Sequence, residues 1–194
     1  AYPEIDFTIS PVNPQICKGD TIIINVTGAD SLKWSPALGL SDTIGNKISA
    51  FPLYTTTYTI STKSINKCKS DSSFVLRVSD LKATFNKPKD KICYGDSINI
   101  NYIAKEGIEP YHYYWKPFND TTSYITVINT NSTDFSQSSM IEVKVTDNAN
   151  CNDSASFFIN FLPSVKMTFE SDSVCPDTCS GKIFLKVVDS DGRT

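Results

Sequence analysis

A chain of 194 residues, 40% hydrophobic and 20% charged, is long enough for two domains and too apolar to remain disordered. Its net charge of −3 comes with scattered basic residues, the densest group being Lys82, Lys87, Lys89 and Lys91, which leaves nucleic acid no electrostatic footprint. No stretch reaches the roughly 18 consecutive apolar residues of a membrane span, and Ala1-Tyr2-Pro3-Glu4 lacks the basic and apolar pattern of a signal peptide, so any such leader is expected to be gone already.

In chain order, the first expected strands are Phe7-Thr8-Ile9 and the run from Gln15 through Cys17-Lys18-Gly19-Asp20 to Asn25. Trp34-Ser35-Pro36 follows, then the Thr-rich run Thr55 to Thr62, whose branched side chains favour strands. After Cys68 a closing strand carries Phe74, Leu76 and Val78 on one face and Arg77 on the other.

The same landmarks then recur. Ala83-Thr84-Phe85 and Lys91-Ile92-Cys93-Tyr94-Gly95-Asp96 repeat the opening with a shift of 76, because 93 − 17 = 76. Trp115-Lys116-Pro117 matches Trp34-Ser35-Pro36, Asn150-Cys151 matches Lys67-Cys68, and Phe157, Ile159 and Phe161 stand where Phe74, Leu76 and Val78 stand. Alternation places Ile98, Ile100 and Tyr102 inward against Asn99 and Asn101, and Ile141, Val143 and Val145 inward against Glu142 and Lys144. Met167-Thr168-Phe169 opens a third copy, which ends in an apolar strand from Ile183 to Val188.

No window carries a capped helical stripe, so the expected fold is all-β: tandem immunoglobulin-like β-sandwiches at 1–80 and 81–163, with an incomplete third repeat at 164–194. That last segment is too short to close a sandwich alone and reads as part of something longer. The linkers contain no Gly/Ser run, so neighbouring repeats are expected to touch and to hold a preferred angle.

Six cysteines, an even number, point to paired cystines and an oxidising compartment. The spacing of Cys175 and Cys179 also suits zinc, but His112 is the only histidine and no second close cysteine pair completes four ligands. If each copy pairs its own cysteines, Cys17 joins Cys68 and Cys93 joins Cys151, each clamping one end of a sandwich for about 4 kcal/mol. Cys175 and Cys179 form a small ring or pair beyond the segment.

The run Ile16-Cys17-Lys18-Gly19-Asp20-Thr21, then Trp34-Ser35-Pro36-Ala37-Leu38-Gly39-Leu40-Ser41, then Thr55-Thr56-Thr57-Tyr58-Thr59-Ile60 and a cysteine resembles the PKD-like repeats of Bacteroidetes cell-surface proteins. These include gliding-motility adhesins exported by type IX secretion. The likeness covers 1–80 well, weakens between Trp115 and Ile141, and extends at Cys175-Pro176-Asp177-Thr178-Cys179 to the opening of an SprB-type repeat. It implies an extracellular, cell-surface stalk or adhesive filament without catalytic activity or cofactor. It identifies no ligand; the partners expected are neighbouring repeats of the same chain, and surface glycans or other surface proteins. The resemblance also covers modules that space a catalytic domain from a sorting domain, so an accessory or glycan-binding module of a secreted enzyme is the alternative expectation. The family further implies O-glycosylation at Asp-Ser/Thr sites, matched by Thr21, Thr43, Ser97 and Ser154.

Catalysis has little to draw on, since His112 stands alone and no nucleophile-elbow, zinc-protease or phosphate-loop motif appears. Glu106 and Glu109 near His112 read as a solvated loop. In Tyr111-His112-Tyr113-Tyr114-Trp115, alternation sends Tyr113 and Trp115 inward and leaves Tyr111 and Tyr114 to stack on a sugar ring. Asp147, Asn148, Asn150, Asn152 and Asp153 offer calcium-like oxygens at alternate positions, but a turn explains them better, because no bidentate glutamate accompanies them. Lys18-Gly19-Asp20 matches an integrin tripeptide, yet Tyr94-Gly95-Asp96 repeats it and marks a structural turn. Glycosylation sequons stand at Asn25, Asn119, Asn131 and Asn152.

Overall fold

The structure, a computed structural model, describes residues 8–29, 32–63, 69–86, 89–130, 137–163, 166–171 and 183–188. Sixteen strands run through these residues, with no helix among them. The first seven are Thr8–Ser10 (β1), Gln15–Cys17 (β2), Ile22–Thr27 (β3), Leu32–Ser35 (β4), Lys47–Ala50 (β5), Thr56–Lys63 (β6) and Lys69–Ser79 (β7). They form two sheets, β1-β3-β5 and β2-β7-β6-β4.

The next seven are Lys82–Asn86 (β8), Lys91–Ile92 (β9), Ser97–Lys105 (β10), His112–Lys116 (β11), Tyr124–Ile128 (β12), Gln137–Thr146 (β13) and Asn152–Phe161 (β14). Their sheets, β12-β10-β8 and β11-β13-β14-β9, repeat the first arrangement strand for strand. The 76-residue repetition in sequence is therefore a repetition of topology. Lys166–Ser171 (β15) and Ile183–Val188 (β16) pair antiparallel, from Lys166 opposite Val188 to Ser171 opposite Ile183.

Alternation sets what is buried. In β3, Ile24 and Val26 face inward while Ile23 and Asn25 face out; in β4, Leu32 and Trp34 alternate with Lys33 and Ser35. The first core gathers Ile16, Ile24, Val26, Leu32, Trp34, Ile48, Ala50, Tyr58, Ile60 and Leu76, with Phe74 edge-on to Trp34 at 6.0 Å. The second holds Ile100, Tyr102, Trp115, Ile125, Val127, Ile141, Val143 and Ile159, with Phe85 4.9 Å from Tyr102 and 4.7 Å from Phe157 between ring centroids. Each buried indole finds a backbone acceptor on a loop of its own repeat. Trp34 Nε1 donates to Gly45 O and Trp115 Nε1 to Thr122 O, both at 2.8 Å. A buried polar tip needs such a partner, and both tryptophans are supplied with one.

One pairing runs against the antiparallel pattern. β2 lies parallel to the end of β7, with Cys17 opposite Ser79, and β9 lies parallel to the end of β14, with Ile92 opposite Phe161. The short strand carrying the first cysteine of each copy thus lies beside the end of that copy's last strand.

The chain divides into two compact units: residues 1–84 with 104–113 and 144–154, and residues 85–103 with 114–143 and 155–194. Trp34→Ala is expected to cost about 3 to 5 kcal/mol, as for other buried aromatic truncations, read as a lower urea midpoint for the first transition.

Candidate functional site

The bond that shapes the first unit is a disulfide between Cys17 and Cys151, with Cα atoms 5.5 Å apart and a sequence separation of 134. This corrects the expectation that each copy pairs its own cysteines, and the parallel strands supply the reason. Cys17 sits beside Ser79, whereas Lys69, the residue after Cys68, starts the same 11-residue strand β7 at its far end. Ten steps of extended chain span about 33 Å, against the 4.4 to 6.8 Å that a cystine tolerates between Cα atoms. The second copy repeats the obstacle: Cys93 follows Ile92, which lies opposite Phe161 at the end of β14, while Cys151 immediately precedes the start of that strand. Cys93, expected in a cystine, is a free and exposed thiol. Cys68, Cys175 and Cys179 lie outside the described residues.

Asp147 organises the turn that presents Cys151. Only 2% exposed, its carboxylate accepts from four donors. Oδ1 receives the N–H groups of Ala149 and Cys151, each at 2.9 Å, and Oδ2 receives the Ile108 N–H at 2.9 Å and the Ser79 hydroxyl. Buried charge is tolerated where hydrogen bonds replace its hydration, and here three backbone N–H groups and a hydroxyl do so. Asn150 completes the turn at φ 63, a left-handed conformation that asparagine accepts readily. Asp153 is likewise occupied by backbone, taking the N–H of Ala83 at 2.7 Å and of Ser154 at 2.8 Å. The carboxylate oxygens of Asp147 and Asp153, which resembled calcium ligands in sequence, thus take donors from the chain itself. Among the described residues no group of three acidic, histidine or cysteine side chains is placed to hold a metal.

Two further contacts hold the same region. Asn148 Nδ2 donates to Gln15 Oε1 at 3.1 Å, and its backbone N–H donates to Ile108 O. Gly107 is hemmed in: a Cβ there would stand 2.8 Å from Leu81 Cδ1 and 2.9 Å from the Tyr111 ring, so the loop closes on Leu81 because residue 107 has no side chain. Outside this cluster runs a chain of charges. Lys18 reaches Asp80 at 2.5 Å, Lys82 reaches Asp80 at 3.3 Å and Glu106 at 2.6 Å, and the Asp80 N–H donates to Glu106 O. The Lys18 hydrogen bond, outweighing desolvation, holds the Asp80 carboxyl below its usual range, and Glu106 followed by Asp80 holds the Lys82 ammonium above its own.

The other sequence candidates divide. Tyr113 and Trp115 point inward, as alternation predicts. Tyr111 is half-buried; its hydroxyl donates to Gly107 O at 3.2 Å, and desolvation, reinforced by Glu109, raises its phenol. It is a packing residue of the loop. Tyr114 is 42% exposed, and its hydroxyl donates to Asn119 Oδ1 at 2.8 Å. Glu106 is an ion-pair residue at φ 60, and His112 points outward at the start of β11. In the Lys18-Gly19-Asp20 segment the Asp20 N–H donates to Cys17 O at 3.0 Å with Gly19 at φ 95, a turn that Cys93, Gly95 and Asp96 reproduce. Sequence reasoning missed Ser79, Gln15 and Gly107, which no local pattern distinguishes from ordinary strand and loop residues.

No protein family and no curated protein matches the chain by sequence. Solved structures do match by fold. The C-terminal 282-residue fragment of intimin, solved in complex with the intimin-binding domain of the translocated intimin receptor, aligns over 84% of this chain and 65% of its own length, with a TM-score of 0.53 and 11% identity. The chain thus spans just under two thirds of that fragment. The N-terminal eight immunoglobulin domains of the Down syndrome cell adhesion molecule align over 90% of this chain and 27% of their own length, with a TM-score of 0.50 and 11% identity. The class of the fold follows: these are immunoglobulin-like β-sandwiches.

Asp147→Asn keeps the shape but turns one oxygen into a donor facing the Ile108 N–H or the turn amides. It is expected to destabilise the first unit by roughly 2 to 3 kcal/mol, measured by chemical denaturation with Cys17–Cys151 intact. Because the Asp80 carboxyl titrates lower in the folded chain than in the unfolded one, its contribution exists above the ordinary carboxylate pKa and is lost as pH falls through the lowered value. Wild type and Asp80→Asn should therefore differ in stability at neutral pH and low salt, then converge in strong acid and at high salt.

Proposed function

We propose that the chain is a non-catalytic, load-bearing segment of an extracellular surface protein, in which tandem immunoglobulin-like sandwiches form the stalk of an adhesin. The observation that carries this reading is the Cys17–Cys151 bridge. Tension applied at the two ends passes from Cys17 directly to Cys151, so the residues between them, most of both repeats, are bypassed by a covalent link. A loop of 134 residues also removes unfolded-state entropy worth about 5 kcal/mol in the chain-entropy account. A disulfide of this kind persists in an oxidising, extracellular setting.

Further support comes from how the polar groups are used. Asp147, Asp153 and Ser79 are engaged in closing turns and loops, and the charged residues nearby pair with one another. The resemblance of the Cys-Lys-Gly-Asp and Trp-Ser-Pro-Ala-Leu-Gly-Leu segments to repeats of Bacteroidetes gliding adhesins supports a place on a type IX-secreted filament, at the bacterial surface. The intimin fragment was solved in complex with its receptor's intimin-binding domain, which supports a protein partner for such a stalk. Tyr114, an exposed tyrosine, is the residue that favours the second reading, a glycan-binding accessory module.

Single-molecule stretching from the two termini tests the load path. In the oxidised chain the 134-residue loop stays closed. Reduction, or Cys17→Ser combined with Cys151→Ser, is expected to lengthen the fully extended molecule by about 450 Å at roughly 3.4 Å per residue. Equal extension in both redox states would end the load-bearing reading.

A further inference from the structure

Cys93 occupies in the second repeat the place that Cys17 occupies in the first. Each follows a buried isoleucine, Ile16 or Ile92, on a short strand paired parallel with the end of its repeat's last strand. Each opens a turn in which the N–H of the aspartate three residues on, Asp20 or Asp96, returns to the cysteine carbonyl at 3.0 Å across a glycine of positive φ. The backbone before it is fixed as well. Asn129, buried, donates from Nδ2 to Ile92 O and Leu162 O, each at 2.7 Å, and the Leu162 N–H also donates to Ile92 O. Cys93 is thus an exposed thiol on a clamped backbone, and the molecule contains the filled version of the same site: at the equivalent position, Cys17 is bonded to the turn cysteine that precedes the last strand of the following repeat.

We propose that Cys93 is one half of a second repeat-to-repeat disulfide, its partner being a turn cysteine of the Cys151 type, the residue before the last strand of another sandwich of this kind. The inference rests on the repeated topology and not on the stalk reading. The parallel strand directs it: Cys93 stands at the far end of β14 from Cys151 and has no route to the turn cysteine of its own repeat. The chemistry is thiol–disulfide exchange with a small disulfide such as oxidised glutathione. The Cys93 thiolate attacks it, forming a mixed disulfide and releasing one glutathione thiol; the turn-cysteine thiolate then displaces the second, so two protein thiols become one cystine and one glutathione disulfide becomes two thiols. Two sources would supply it: a second molecule, whose Cys68 aligns in sequence with Cys151, or another sandwich of this kind joined to the same chain.

The test has two arms in an oxidising glutathione buffer, each read by alkylation of remaining thiols, non-reducing electrophoresis and mass spectrometry of linked peptides. In the first, the 194-residue chain is oxidised alone. In the second, the same chain carries an added copy of residues 81–163 directly after Pro163. Pairing between molecules gives reductant-sensitive multimers joined through Cys93 and Cys68, abolished by Cys93→Ser or by Cys68→Ser. Pairing within one chain gives a monomer in the second arm whose Cys93 is linked to the added copy of Cys151. In whichever arm pairs, Cys93 alkylation should fall roughly tenfold while Cys17–Cys151 stays intact. Cys93 that stays fully alkylated in both arms, or joins Cys175, Cys179 or another Cys93, overturns the proposal.

Discussion

The parallel pairing of a short early strand with the end of the last strand is the constraint on which the rest of this molecule depends. In an antiparallel meander the cysteine that ends β2 would sit near the turn that opens β7. Laid parallel, it sits where β7 ends, beside Ser79 and the point at which the chain moves into the next repeat. A cystine reaches only a few ångströms, so strand direction alone decides whether a sandwich is clamped to itself or to the repeat that follows. The same geometry recurs at β9 and β14, which makes it a property of the repeat and not an accident of one loop.

Around the bridge, the usual order of importance among polar interactions holds. The exposed charges Lys18, Asp80, Lys82 and Glu106 are screened and individually weak. Asp147 is different, because its carboxylate is buried and its oxygens are met by donors from β7, from the loop after β10 and from its own turn. Losing one of those donors leaves a buried carboxylate oxygen short of a hydrogen bond that water cannot replace. Buried polar satisfaction and a covalent bond therefore act on one small region, which accounts for why residues 104–113 and 144–154 cluster with the first repeat.

Much of the fold was legible in the residues. Alternation in Ile98, Ile100 and Tyr102, and in Ile141, Val143 and Val145, predicted the strands and their inward faces, because a period of two leaves a strand no other way to bury them. Tyr113 and Trp115 turned inward for the same reason. The Gly-Asp turn was recognisable because it recurs, and the start of the Asn/Asp-rich segment, from Asp147 to Cys151, was recognisable as a turn by its composition, while Asn152 and Asp153 open β14. The place of Tyr111 was not, since its hydroxyl partner, Gly107, belongs to a loop whose path depends on Leu81 and Asp147.

The sequence by itself determined an all-β chain of repeated sandwiches with a tryptophan in each core, because periodicity and repetition are local properties of the residues. Tertiary structure alone decided which cysteines meet. Two residues at the ends of one extended strand look close in a list and lie about 33 Å apart in space, while Cys17 and Cys151, 134 residues apart in the chain, are brought to 5.5 Å. That outcome depends on strand direction, and a strand's residues read the same whether its neighbour runs parallel or antiparallel.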